Sequence, residues 1–269
     1  SGGAGAKGSF GADPLGALAA DGKVAGSTDE ALRQLGALAS WVEAKLPSMT
    51  TALVNTAPYH DAGATSVQDL ALALATGVAY LRAMTAAGLS IDAACRQVTF
   101  RFSVGTHFFR AIAKLRAARR LWARVAESCS ASEENRAMHM TVVTARRAMT
   151  MRDPWVNILR ATVGCFAGAV GGVDAIIVEP YDARLGLSDD HSRRLARNTQ
   201  VILQEESNLA RVIDPAGGCW FLEKLTDQLA EAAWKLFQEI EAQGGMAKAL
   251  EPGWVAEKIG AVWQERLKG

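Results

Sequence analysis

The strongest constraint on the fold of this chain is a change of hydrophobic period that repeats along it. In "RQVTFRF", Val98, Phe100 and Phe102 share one face and Gln97, Thr99 and Arg101 the other, which is strand spacing. A few residues later "THFFRAIAKLRAARRLWARVAES" carries its apolar residues at helical spacing, with Thr106 as the expected N-cap. The same switch recurs. "TTALVNTA", ended by Pro58, precedes a helical stretch from Val67 to Ala87 that Gly88 stops. "RAMHMTVVTAR" precedes a helix opened by Asp153–Pro154 and closed by a glycine pair. "VDAIIVEPY" precedes "LSDDHSRRLARNTQVILQEES". A capped helix with Leu32, Leu35, Leu38, Trp41, Val42 and Leu46 on one stripe leads the series, and long helical stretches after "DPAGG" and from Gly253 to Leu267 close it.

Strand and long helix in alternation, with no hairpin turn between strands, means a parallel α/β protein. A doubly wound sheet and a (β/α)8 barrel of TIM type both fit this order. Four strands are clear and "GSFGA" is a candidate fifth, fewer than a closed barrel of eight requires. Residues 1–9 are expected as a flexible lead-in rich in small residues, 10–218 as the (β/α) portion, and 219–269 as trailing helices of a linker. There is no GxGxxG after a strand and no GxxxxGK[ST], so a nucleotide cradle is not supported. The net charge of +1 argues against a nucleic-acid footprint and against a membrane surface. The four cysteines stand far apart, three of them in apolar surroundings, which predicts buried reduced thiols and a cytoplasmic setting.

Polar residues near strand ends are the candidates for chemistry. Tyr59, His60 and Asp61 follow a strand, where barrel enzymes keep reacting groups; the competing reading is a loop facing water. Lys114, Arg116, Arg119, Arg120 and Arg124 could hold phosphate, but their apolar neighbours make them the wet face of an amphipathic outer helix. His107, His139 and His191 are scattered and none pairs at i, i+4, so no metal site is expected. Asp189 and Asp190 read as acids at a helix start beside an exposed His191, and "DPAGG" (214–218) as a plain helix entry.

Two long stretches go further. "FFRAIAKLRAARRLWARV" (108–125) resembles the helix after the sixth barrel strand of methylmalonyl-CoA mutases. "DPWVNILRATVGCFAGAVGGVDAIIVEPYDARLGL" with "SRRLARNTQVILQEESNLARVIDPAGGCWFLEKLTDQLAEAAW" resembles the seventh and eighth strand regions. The resemblance runs from about Phe10 to Leu267. It implies the C-terminal half of a substrate barrel, from about the fourth strand to the eighth. It also implies a parent enzyme that uses adenosylcobalamin to shift a thioester group within an acyl-CoA. No DxHxxG cobalamin-ligand motif occurs, so no cofactor is expected on this chain itself.

Catalytic members of that family read like "SGYHMQEAGA" where this chain has "TAPYHDAGA". Aligned on the shared AGA (62–64), the family's Tyr and His fall on Ala57 and Pro58, and the visible Tyr59–His60 pair is a look-alike. The implied acyl-CoA contacts of the sixth strand fall on Gln97 and Thr99, and polar segments of the last two strands fall on positions that include Val143, Thr144, Ala145, Arg146, Ile176, Ile177, Val178 and Glu179. The barrel interior is therefore expected as an apolar packed core. The pattern is most similar to the small subunit of the heterodimeric mutases, which implies a non-catalytic supporting role beside a large catalytic subunit, or beside a missing barrel half, with self-association as a further expectation. If the chain does bind an acyl-CoA as a mutase with altered groups, Tyr59, His60, Gln97, Thr99, Arg146 and Glu179 are the side chains expected in its channel.

Overall fold

A computed structural model describes residues 6–268. Five parallel strands lie in one sheet in chain order: β1 (Gly8–Ala12), β2 (Met49–Asn55), β3 (Val98–Val104), β4 (His139–Thr144) and β5 (Ala175–Ile177). The sheet curls into half of a barrel with helices on its outer side, the α/β architecture expected from the alternating periods. "GSFGA" is a true strand. Gly8 and Ser9, expected in the lead-in, instead pair with Met49 and Thr50, so the ordered sheet begins two residues before the expected start at 10; residues 1–5 of that lead-in lie outside the described residues.

The helices are α1 (Pro14–Asp21), α2 (Thr28–Lys45), α3 (Ala57–Asp61), α4 (Ser66–Ala86), α5 (Ile91–Arg96), α6 (Phe108–Ser128), α7 (Asn157–Val170), α8 (Asp190–Val201), α9 (Trp220–Ala242), α10 (Met246–Leu250) and α11 (Trp254–Lys268). Side-chain caps explain several of their starts. Thr65 and Gln68 form a reciprocal capping box that starts α4, and the Asp189 carboxylate accepts the Ser192 amide to start α8, as expected. The start of α6 differs from expectation: His107, not Thr106, is the N-cap, and no side chain caps it.

The core lies between the sheet and its helices. Phe100 meets the edge of Trp122 with ring centroids 4.7 Å apart. Gly77 of α4 lies so close that a Cβ there would stand 2.7 Å from the Trp122 ring; glycine is what lets this helix settle on the pair. Helix α9 lies across α4 and α6 as a second layer, and its Ala230, Ala233, Phe237 and Ile240 join the same apolar cluster as the strands. The C-terminal helices expected as a linker are thus part of the barrel's packing. A smaller cluster (Met149, Ala161, Cys165, Val178, Ala196) sits under β5, α7 and α8.

Two expectations are corrected. The inner face of the sheet carries Thr99, Arg101, Thr141 and Val143, all partly exposed, and Ile177, which is exposed. Alternation along β3 turns Phe100 and Phe102 toward the helices and leaves polar Thr99 and Arg101 on the other face, so this face is not an apolar packed core. All four cysteines are free thiols, but only Cys95 and Cys165 are buried; Cys129 and Cys219 are exposed.

Candidate functional site

The carboxyl ends of β2 and β3 carry the densest buried charge among the described residues. Asp69, in the first turn of α4, is completely buried, and its Oδ2 accepts from Lys114 Nζ at 2.9 Å and from His60 Nδ1 at 3.0 Å. Lys114 Nζ also donates to the Ser103 carbonyl at 2.7 Å. Burial by itself would push the Asp69 carboxyl up, but Lys114 and the bond from His60 outweigh it and hold it below the ordinary range. Burial lowers the His60 imidazole despite its bond to Asp69, with Lys114 and Arg147 pushing the same way, which favours the neutral ring. Lys114 corrects the reading of α6 as having a uniformly wet basic face: its side chain is only 3% exposed. Of the remaining basic residues, Arg116 is largely covered and bonds Asp214 and Glu223, Arg119 donates to the Gly171 and Gly172 carbonyls, exposed Arg120 bonds Asp227, and Arg124 covers the Trp234 ring.

The expected site residues do not form one constellation. Tyr59 and His60 sit in the short helix α3, not in an open loop, and their side chains part. Tyr59 is buried in the core cluster with its hydroxyl lacking a hydrogen bond of normal geometry, and burial beside Asp13 pushes its pKa up. Ala57 and Pro58, where the resemblance puts the family's Tyr and His, form the first turn of α3. Gln97 precedes β3 at the amino end of the sheet, where Thr51 donates to it at 2.6 Å and it donates to Glu43 at 2.9 Å. The Thr99 hydroxyl donates to the Ala52 carbonyl. Arg146 and Glu179 do meet, with Nε and Oε1 3.4 Å apart at the carboxyl ends of β4 and β5. The six candidates thus divide among the core, the amino end and the carboxyl end.

A second buried network was missed. Asp13 caps α1 through Gly16 N at 2.9 Å, accepts the Asn55 amide at 3.2 Å and takes the Tyr80 hydroxyl at 2.5 Å, while Tyr80 itself accepts the Leu15 amide. Burial pushes the Asp13 carboxyl up. The sequence signal was present: Asp13–Pro14 is the same helix-opening dipeptide recognised at Asp153–Pro154. Asp69 had one too, as a single acid in the otherwise apolar run "DLALALATGVAYL".

The family model for methylmalonyl-CoA mutase matches residues 4–268. The chain belongs to the methylmalonyl-CoA mutase family. The "Methylmalonyl-CoA mutase small subunit" of Streptomyces virginiae is 50% identical over 97% of this chain and 42% of its own length. The protein of the same description from Propionibacterium freudenreichii subsp. shermanii is 42% identical over 87% of this chain and 37% of its own. The "Methylmalonyl-CoA mutase" of Escherichia coli is 37% identical over 82% of this chain and 31% of its own. The chain spans about two fifths or less of the length of these relatives. Among the described residues, no helix of this mutase-family chain is long and apolar enough to cross a membrane.

Proposed function

We propose that this chain is the barrel portion of a methylmalonyl-CoA mutase small subunit, non-catalytic itself and supporting a catalytic large subunit. The observation that carries the reading is the pair Ala57–Pro58 at the start of α3. General acid–base chemistry needs a titratable group within reach of the reacting atom, and neither residue can gain or lose a proton. The higher identity to relatives described as small subunits (50% and 42%) than to the single-description Escherichia coli mutase (37%) supports the same reading.

The parent family's adenosylcobalamin supplies a cleavable cobalt–carbon bond. A cobalt ligand would be an imidazole, and the residues here fit the group poorly: the DxHxxG motif does not occur, and His60 and His107 line a cavity shared with Arg110, Lys114, Arg147 and Arg266, whose charges oppose a metal cation. No step is derived through that group. What this chain's residues contribute in the proposed role is shape. The exposed apolar side chains of the β5 flank, among them Trp155 and Leu159, offer a surface of the kind that subunits cover. A cytoplasmic setting accords with two free exposed thiols.

One observation favours a catalytically competent mutase instead: the Arg146–Glu179 pair stands at the carboxyl end of the sheet, where barrel enzymes keep their chemistry. Calorimetric titration separates the two. Heat of binding with a catalytic large subunit, and none with methylmalonyl-CoA, is the expected result; saturable binding of methylmalonyl-CoA by this chain alone would replace the supporting role with the catalytic one.

A further inference from the structure

Lys114 also lines a cavity of about 280 Å³ at the carboxyl ends of β2 and β3. Its wall contains Arg110, Lys114, Arg147 and Arg266 together with His60 and His107, and no carboxylate is among its lining residues. The nearest acid is Asp69, which bonds Lys114 and so offsets one of the four permanent charges. The arginines are not neutralised by their partners. Arg147 donates to the carbonyls of His60 and Ala64, and Arg266 donates to that of Gly63 at 3.0 Å. Carbonyls orient a guanidinium without cancelling its charge. Lys114 uses two of its three N–H groups, on Asp69 and on Ser103. The first turn of α6 opens here too, and its amides have no side-chain cap. Cations gathered around one partly open pocket repel one another unless an anion stands between them, and that repulsion is least screened at the buried Lys114.

We propose that this cavity binds a phosphate-sized dianion, either free or as the terminal phosphate of a small molecule. Planar guanidinium groups and uncapped helix amides are the donors that match tetrahedral oxyanions. The space exceeds several water volumes of roughly 30 Å³ each, enough for one phosphate with room for a second. The site does not depend on the supporting role proposed above, since it uses neither the β5 flank nor any acyl-CoA.

The test is isothermal titration of the purified protein, in whatever oligomeric state it adopts, with inorganic phosphate and separately with pyrophosphate, at constant ionic strength set by sodium chloride. Saturable binding of about one anion per chain is expected. Phosphate alone binding would identify a free-anion site; pyrophosphate binding more tightly would identify the end of a larger phosphorylated molecule. Arg110 has no ion-pair partner among the described residues, so Arg110→Gln should keep the melting temperature in chloride while weakening the anion about tenfold or more, the loss of one charge-assisted contact. Arg193→Gln, on the exposed face of α8, should change nothing. No heat beyond the chloride control, or binding equally strong in Arg110→Gln, would overturn the proposal.

Discussion

The repeat that contains α4 and the repeat that contains α7 are built from the same pattern, a short strand followed by an apolar helix, and they end in opposite environments. In α4, 15 of 21 residues are buried, because strands lie under it, α2 and α6 flank it and α9 closes over it. In α7 the side that holds Gly164 and Gly168 packs tightly on Thr144 and Val142, but the opposite side leaves Leu159 67% exposed beside an exposed Trp155. β5 beneath it has only three residues, and Ile177 is exposed. The difference teaches that apolar content does not by itself place a helix in a core. A second layer does, and α9 supplies one to α4 and α6.

The comparison can be broken at several points. The largest effect is expected at the buried charges under the covered half. Lys114→Met strands Asp69 without its cation and should cost about 3–5 kcal/mol in chemical denaturation, and pairing it with Asp69→Leu should recover much of that loss. A small cost for the single variant would mean that water reaches the pair and that this half is not closed. Next, Leu74→Ala in α4 should cost about 2–5 kcal/mol, whereas Leu159→Ala in α7 should stay within about 0.5 kcal/mol; equal losses would erase the distinction. Gly77→Ala drives a Cβ against the Trp122 ring and should cost roughly 1–3 kcal/mol, a direct reading of how tightly α4 is seated.

Acid should dissect the covered half further. His60 has its folded pKa depressed below 6.5, so it remains neutral where the unfolded chain takes up a proton. Its contribution is therefore whole above about 6.5 and is lost as pH falls through the folded value. Asp69, held below 3.8 when folded, contributes fully above that value and loses its share as pH falls further. Urea midpoints measured against pH should fall in two stages, and His60→Gln should remove the first and leave the second. The smallest effect concerns the open half. Hydroxyl-radical footprinting should modify Trp155 readily in the chain alone, and added large subunit should protect it if that subunit covers the β5 flank; unchanged labelling would place the partner elsewhere.

Much of this was legible in one dimension. The period switch at "RQVTFRF" located β3 and α6, and Asp189 marked a helix start. Such signals are local: caps act within one turn, and side-chain alternation acts within one strand. The candidate site was less legible. Gln97 and Arg146 share aligned polar positions and Tyr59 follows a strand, but strand direction sends Gln97 to the opposite end of the sheet from Arg146, and helix α3 turns Tyr59 into the core.

The sequence by itself determined the α/β class, the parallel order and the family, because each follows from periodicity or from matched residues. Only the tertiary structure decided that Lys114 is a buried partner of Asp69 while Arg120, on the same helix, is exposed beside Asp227. A separation of 45 positions between Asp69 and Lys114 carries no spacing rule. What joins the two is the packing of α6 against α4 beside β3, which takes both charges out of water and leaves each the other's best available partner.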